Sequence, residues 1–342
     1  MSGRTHIGVE DEAFTINGAP TYAGRSYRGV RVEGLLPNSR MVQAIFDDLN
    51  PETRSMWAYP DTGVWDAERN VSEFIAALPS YRQAGLLAFT VNLQGGMPTP
   101  HTEEHQPWHN SGWTAEGELR PEYEDRLRRV VERADELGMA VILGLFYFGQ
   151  DERLADERAI RRAVESGAGW VLEEGFTNVL LEINNECNIL YDHEVLQPHR
   201  VHELIEVAKQ VTRDGRRLLV STSYGGGTVP GEKVCAASDF VLLHGNGVDD
   251  PARIAAMVRE TRALKSYRPM PIVFNEDDHY GFDRPSNNML AALSEHASWG
   301  YYDQGTNNYR DGYQSPPTNW GINTERKKGF FELVHRLTGA AG

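Results

Sequence analysis

Two glutamates stand in settings suited to chemistry. Glu186 follows the run NVLLEINN and Glu276 follows PIVFN, each where an apolar, strand-forming stretch gives way to a polar loop. In a barrel of parallel strands, such positions face the mouth where reactions take place. Two carboxyl groups facing one another there would hydrolyse a glycosidic bond: one protonates the leaving oxygen, and the other attacks the anomeric carbon or activates water. Glu182, four residues ahead of Glu186, reads as a structural carboxylate inside the barrel. It needs a cation, because a buried unpaired charge is expensive. Arg40 in PNSRM is the candidate, against a plain surface arginine or a direct substrate ligand. Strand alternation points Glu182, Asn184 and Glu186 to one side and Asn185 to the other, unless a bulge ends the strand.

Further candidates follow from position. His244 ends the sixth strand in VLLHGNG, where a donor could hold the attacking carboxylate or a sugar hydroxyl, and Tyr224 and Asn246 also lie just past strands. Trp108 and Trp113 occupy one long loop, Trp320 another, and Trp299 begins a strand. Aromatic rings offer sugars a flat apolar surface with little rotamer entropy to lose, although packing beneath a loop is the plainer use of a tryptophan. His101, His105 and His109 recur every four residues, but Pro98, Pro100 and Pro107 argue against the helix that would turn them into a metal site.

Taken together, these motifs resemble the clan A glycoside hydrolases, the cellulase-like and β-glycosidase-like barrels, over the barrel as a whole. Those enzymes carry Asn-Glu at the end of strand four and a glutamate at the end of strand seven, matched here by Asn185-Glu186 and Glu276; LLEINNE also matches their stretch with an interior glutamate. The resemblance implies a retaining enzyme without a cofactor, acting on an oligosaccharide or glycoside. In it Glu186 is general acid and then base, Glu276 the nucleophile, and Asn185 the donor to the sugar 2-hydroxyl. Cys187 departs from the pattern, standing where a proline usually follows the acid/base.

The elements that must position these residues form an α/β pattern, apolar strand-like runs alternating with stretches of helical period. Eight strands are predicted: Val30 to Leu36, Leu87 to Leu93, Ala140 to Phe146, Asn178 to Ile183, Leu218 to Ser223, Phe240 to His244, Pro271 to Asn275 and Trp299 to Asp303. Stripes such as Val71, Phe74, Ile75, Leu78 and Leu127, Val130, Val131, Ala134 would cover the outside at i, i+3, i+4 spacing. The expectation is a single (β/α)₈ barrel domain over residues 1–342. Asn17-Gly18 marks a hairpin within residues 1–28 that serves as a lid or plug. Long loops follow strands one, two and eight, and no Gly-rich fingerprint supports a nucleotide-binding sheet.

Length and composition agree. The chain has 342 residues, and its 34 basic against 49 acidic residues give a net charge of −15, which disfavours nucleic acid and anionic membranes. The start MSGRTHIGVEDEAF has no basic-then-apolar segment, and two cysteines suggest no disulfide framework, so a cytoplasmic location is expected; oligomeric state is left open. Two competing functions remain. One is a barrel metallohydrolase using His244, Glu276, Asp278 and His279. The other is a non-catalytic carbohydrate-binding barrel.

Overall fold

Strands with helices on one side and the barrel interior on the other must be apolar on both faces, and Ala140–Phe146 (AVILGLF) is buried at every residue. The computed structural model describes residues 3–98 and 106–340. Five short strands precede the barrel: β1 (Ile7–Glu10), β2 (Ala13–Ile16), β3 (Ala19–Pro20), β4 (Ser26–Tyr27) and β5 (Val30–Arg31). The barrel strands are β6 (Asn38–Arg40), β7 (Ala88–Asn92), β8 (Ala140–Phe146), β9 (Val179–Asn184), β10 (Leu219–Ser221), β11 (Val241–His244), β12 (Ile272–Glu276) and β13 (Gly300–Tyr301). Between and after them run α1 (Ala67–Gln83), α2 (Pro121–Glu136), α3 (Glu157–Glu173), α4 (His202–Gln210), α5 (Glu232–Ala237), α6 (Pro251–Arg262), α7 (Asn288–Ser294) and α8 (Glu325–Thr338).

All eight barrel strands pair in parallel, in one arc ordered β10-β9-β8-β7-β6-β13 and a second arc of β11 and β12. Backbone hydrogen bonds join the arcs at both seams. The Asp239 N–H donates to the Val220 carbonyl at 2.9 Å, and Phe274 N–H to the Ser298 carbonyl, also at 2.9 Å. The predicted stripes face inward: Val71, Phe74 and Leu78 on α1 and Leu127, Val130, Val131 and Ala134 on α2 are buried. Helix starts are fixed by side chains that accept orphan N–H groups: Asp66 caps α1, Asp156 caps α3 and Asp250 caps α6. No helix among the described residues is long and apolar enough to cross a membrane.

One predicted strand is misplaced. The run from Val30 to Leu36 does not enter the barrel: β5 pairs antiparallel with β4, and Gly29 and Gly34 take positive φ of 80° and 84°. Barrel strand one is instead the polar Asn38–Arg40, fully buried, with Asn38 Nδ2 donating to the Leu36 and Phe274 carbonyls. The Asn17-Gly18 turn is present, both residues at positive φ, joining β2 to β3. This hairpin is a plug and not a lid. Ile7 N–H donates to the carbonyl of Thr177, which precedes β9, so the hairpin seals the amino end of the barrel. There Phe14 is fully buried against Leu36, Ala88, Ala140, Leu180, Phe240 and Val273.

Candidate active site

At the opposite end, four strands deliver a knot of charges. Glu186 comes two residues after β9, Glu276 ends β12, His244 ends β11 and Arg40 ends β6. A carboxylate oxygen of Glu186, a ring nitrogen of His244 and a carboxylate oxygen of Glu276 lie within 4.8 Å of one another. Both glutamates are nearly sequestered, at 9% and 5% exposure. The Arg40 guanidinium touches Glu276 through Nε, donates from Nη2 to Asn185 Oδ1, and lies 3.5 Å from Glu182 through Nη1. Arg40 is thus the cation that buried Glu182 requires, and one planar group serves three partners. Asn246 Nδ2 donates to Glu276 Oε1, and His244 Nδ1 lies 2.8 Å from Glu186 Oε1 and 3.7 Å from Glu276 Oε2.

The backbone at Glu186 departs from the simple alternation. Its φ is +50°, a left-handed conformation that costs a non-glycine residue on the order of 1–2 kcal/mol. The twist acts as the bulge that alternation required. Asn185 turns to Arg40 inside the barrel, while Asn184 turns away and bonds Thr222 and the Leu196 carbonyl. Asn184 therefore does not join the carboxylates.

Electrostatics follow from this packing. Burial pushes the Glu276 carboxyl above its ordinary value and outweighs the opposing pull of Arg40 and His244; the guanidinium in contact is the neighbour that favours the ionised form. Burial would lower the pKa of His244, but Glu276 and the bond to Glu186 override it and hold the ring above its ordinary value. Burial pushes the phenols of Tyr147 and Tyr302 well up, and the Glu276 charge adds to that.

Among the sequence-predicted residues, the structure gathers Glu186, Glu276, Asn185, Arg40, His244 and Asn246. It does not gather the aromatics. Trp108 is enclosed with Trp57 and Phe46. Trp113 donates to the Leu145 carbonyl and packs at Gly167 on α3. Trp320 stacks on Tyr313 and bonds Asn70, and Trp299 donates to Asp277 at 2.8 Å. All four are enclosed, leaving no open ring face for a sugar. Tyr224 is turned to Cys187 and Gly231 instead of the carboxylates. The metal set also divides: Glu186, His244 and Glu276 make one group of donors and Asp277, Asp278 and His279 another. His279 bonds Asp277 and Asp249 through its two ring nitrogens, each at 3.0 Å. His101 and His105 lie outside the described residues.

Tyr147, Tyr302, Asn275 and Ser223 were missed by the sequence reading. Tyr147 follows β8 and Tyr302 follows β13, close enough to Glu276 to feel its charge, while Asn275 Nδ2 donates to Glu182. Their one visible signal was position at a strand's end.

No family model and no curated protein matches the chain. Solved structures do. A candidate glycoside hydrolase from Bacteroides vulgatus aligns at TM-score 0.57 and 14% identity over 95% of this chain and 59% of that one, so this chain spans about three fifths of its length. A broad-specificity endoglucanase from Bacteroides salanitronis aligns at 0.56 and 11% identity, covering 89% and 93%. A glycoside hydrolase family 5 enzyme from Prevotella bryantii gives 0.53 and 11%, covering 88% and 96%. The chain has the (β/α)₈ fold of the cellulase-like, clan A glycoside hydrolase barrels.

Proposed function

We propose that the protein is a retaining glycoside hydrolase acting by double displacement. One observation carries this reading: oxygens of Glu186 and Glu276 approach within 4.8 Å. Retaining pairs sit about 5 to 5.5 Å apart, whereas inverting pairs leave roughly 6.5 to 9.5 Å for a water. Glu276, as the carboxylate paired with Arg40, attacks the anomeric carbon. The bond to the leaving oxygen breaks as Glu186 gives that oxygen its proton. Glu186 then takes a proton from water, whose oxygen displaces Glu276 from the sugar.

The supporting groups fit these steps. Asn246 fixes one Glu276 oxygen. Asn185 Nδ2 and His244 Nε2 are buried without a hydrogen-bond partner among the described residues, and a sugar hydroxyl would satisfy such groups at little cost. The endoglucanase and family 5 enzyme that share the fold support an oligosaccharide or glycoside as substrate. Arg40 against Glu276 opposes a divalent cation there, so activity should survive a chelator. The test is a panel of aryl glycosides and plain oligosaccharides scored for released reducing ends, with the anomer of the first product read by proton NMR. Retention is expected; an inverted first product, or no cleavage of any substrate, would sink the reading.

A further inference from the structure

The backbone ladder between β9 and β10 stops at the pair Ser221–Glu182, yet the two strands remain tied beyond it. Thr222 Oγ1 donates to the Asn184 carbonyl at 2.9 Å, Cys187 N–H donates to the Ser223 carbonyl at 2.9 Å, and Gly225 N–H donates to Asn188 Oδ1 at 2.7 Å. In the middle of this clamp sits Ser223, fully buried. Its hydroxyl donates to Glu182 Oε1 at 2.6 Å and accepts the Glu186 N–H at 3.0 Å.

The chemistry of a hydroxyl makes this arrangement directional. Serine has one proton to give. A buried carboxylate is its strongest taker, so the remaining lone pairs face the Glu186 amide. Glu182 cannot swing aside, because Arg40 and Asn275 hold its other oxygen. Glu186, in turn, sits in a left-handed conformation that glutamate does not favour unaided. A backbone state of this kind persists only where its surroundings over-determine it.

We propose that Ser223 is a positioning residue for Glu186: it passes the fixed orientation of Glu182 to the Glu186 backbone and so aims the acid/base at the leaving oxygen. The same Glu182 also steadies Glu276 through Arg40. One buried carboxylate therefore sets the register of both members of the pair. The inference rests on the retaining-hydrolase reading only for the role of Glu186.

Its test uses two substrates that share a sugar but differ in their demand for acid catalysis. In Ser223→Ala, kcat/KM for an alkyl or oligosaccharide leaving group should fall about ten- to hundred-fold. For the 2,4-dinitrophenyl glycoside, which departs without protonation, it should stay within about two-fold. Exchange of the Glu186 amide hydrogen, followed by NMR, should quicken at least about ten-fold. Ser223→Thr, which keeps the hydroxyl, should restore both readouts, and Ser223→Cys, a weak acceptor of similar shape, should fall between if the alanine variant does not fold. Equal losses on both substrates would mark Ser223 as merely structural and overturn the proposal, as would an unchanged Glu186 amide. If the wild type cleaves neither substrate, the glycosidase reading fails, and amide exchange still decides whether Ser223 holds Glu186.

Discussion

The two ends of the barrel interior are built on opposite principles. At the amino end, Phe14 drives an aromatic ring into a layer of Leu36, Ala88, Ala140, Leu180, Phe240 and Val273, without a charge among them. At the carboxyl end, Arg40, Glu182, Glu186, His244 and Glu276 are packed together, nearly as deeply buried, beside a left-handed glutamate. Apolar burial is favourable whatever the detailed geometry, whereas buried charges are tolerable only with their partners in place. The lower layer stabilises, and the upper layer fixes positions at a cost in stability. Substitutions at the two ends should therefore separate activity from folding.

The largest separation is expected at Glu276. Glu276→Gly should reduce turnover by at least about 10⁴-fold while leaving Arg40 its ion pair with Glu182, so the thermal midpoint should fall less than in a variant that removes Arg40. Azide should restore reaction and yield a sugar azide of inverted configuration, while Glu186→Ala with azide should give the retained one. Exchanged configurations would reverse the two roles. Arg40→Met should injure both properties, because Glu182 and Glu276 would be left unpaired. A loss of about 3–5 kcal/mol in urea unfolding is expected, and a loss below about 1 kcal/mol would deny that the charges depend on one another.

Phe14→Ala should do the reverse of Glu276→Gly, lowering unfolding free energy by about 3–5 kcal/mol with kcat/KM unchanged. A matching drop in kcat/KM would erase the contrast between the ends. The smallest effect concerns His279, whose ring Asp277 holds up at about 9 against partial burial. A raised folded value means that its stabilisation is complete below the unfolded value near 6.5 and is lost as pH rises through 9. Solvent screening limits this to less than about 1 kcal/mol. Between pH 6 and pH 10 the urea midpoint of the wild type should fall more than that of His279→Asn; parallel falls would assign the titration elsewhere.

What could be read in the sequence follows the same division. Glu186 and Glu276 were legible because each terminates an apolar run, and the need of Glu182 for Arg40 was legible because a buried carboxylate must have a cation. The first barrel strand was not, since Asn38, Ser39 and Arg40 look like a loop until the interior they enter proves to be polar. The tryptophans misled for a related reason: a long loop that folds back on itself buries its own aromatics, and no local pattern announces that. Ser223 was invisible because a serine ending a strand carries no signature; its importance lies in Glu182 and Glu186, 41 and 37 residues away.

The plug at the amino end has a consequence for how the molecule is made. Residues 7–31 emerge during synthesis well before the groups that receive them. Ile7 waits for Thr177, and Arg25 donates to the carbonyls of Leu337 and Arg336, separated from it by 312 and 311 residues. Closing loops of that length delays non-local pairing, so the plug is fully seated only after α8 has been translated, although the layer that receives Phe14 is complete once Val273 is made. A protease added to stalled nascent chains should cut near Arg25 until Leu337 has cleared the ribosome. Until Val273 has emerged, the barrel floor is open, and the apolar layer above it is within reach of chaperones.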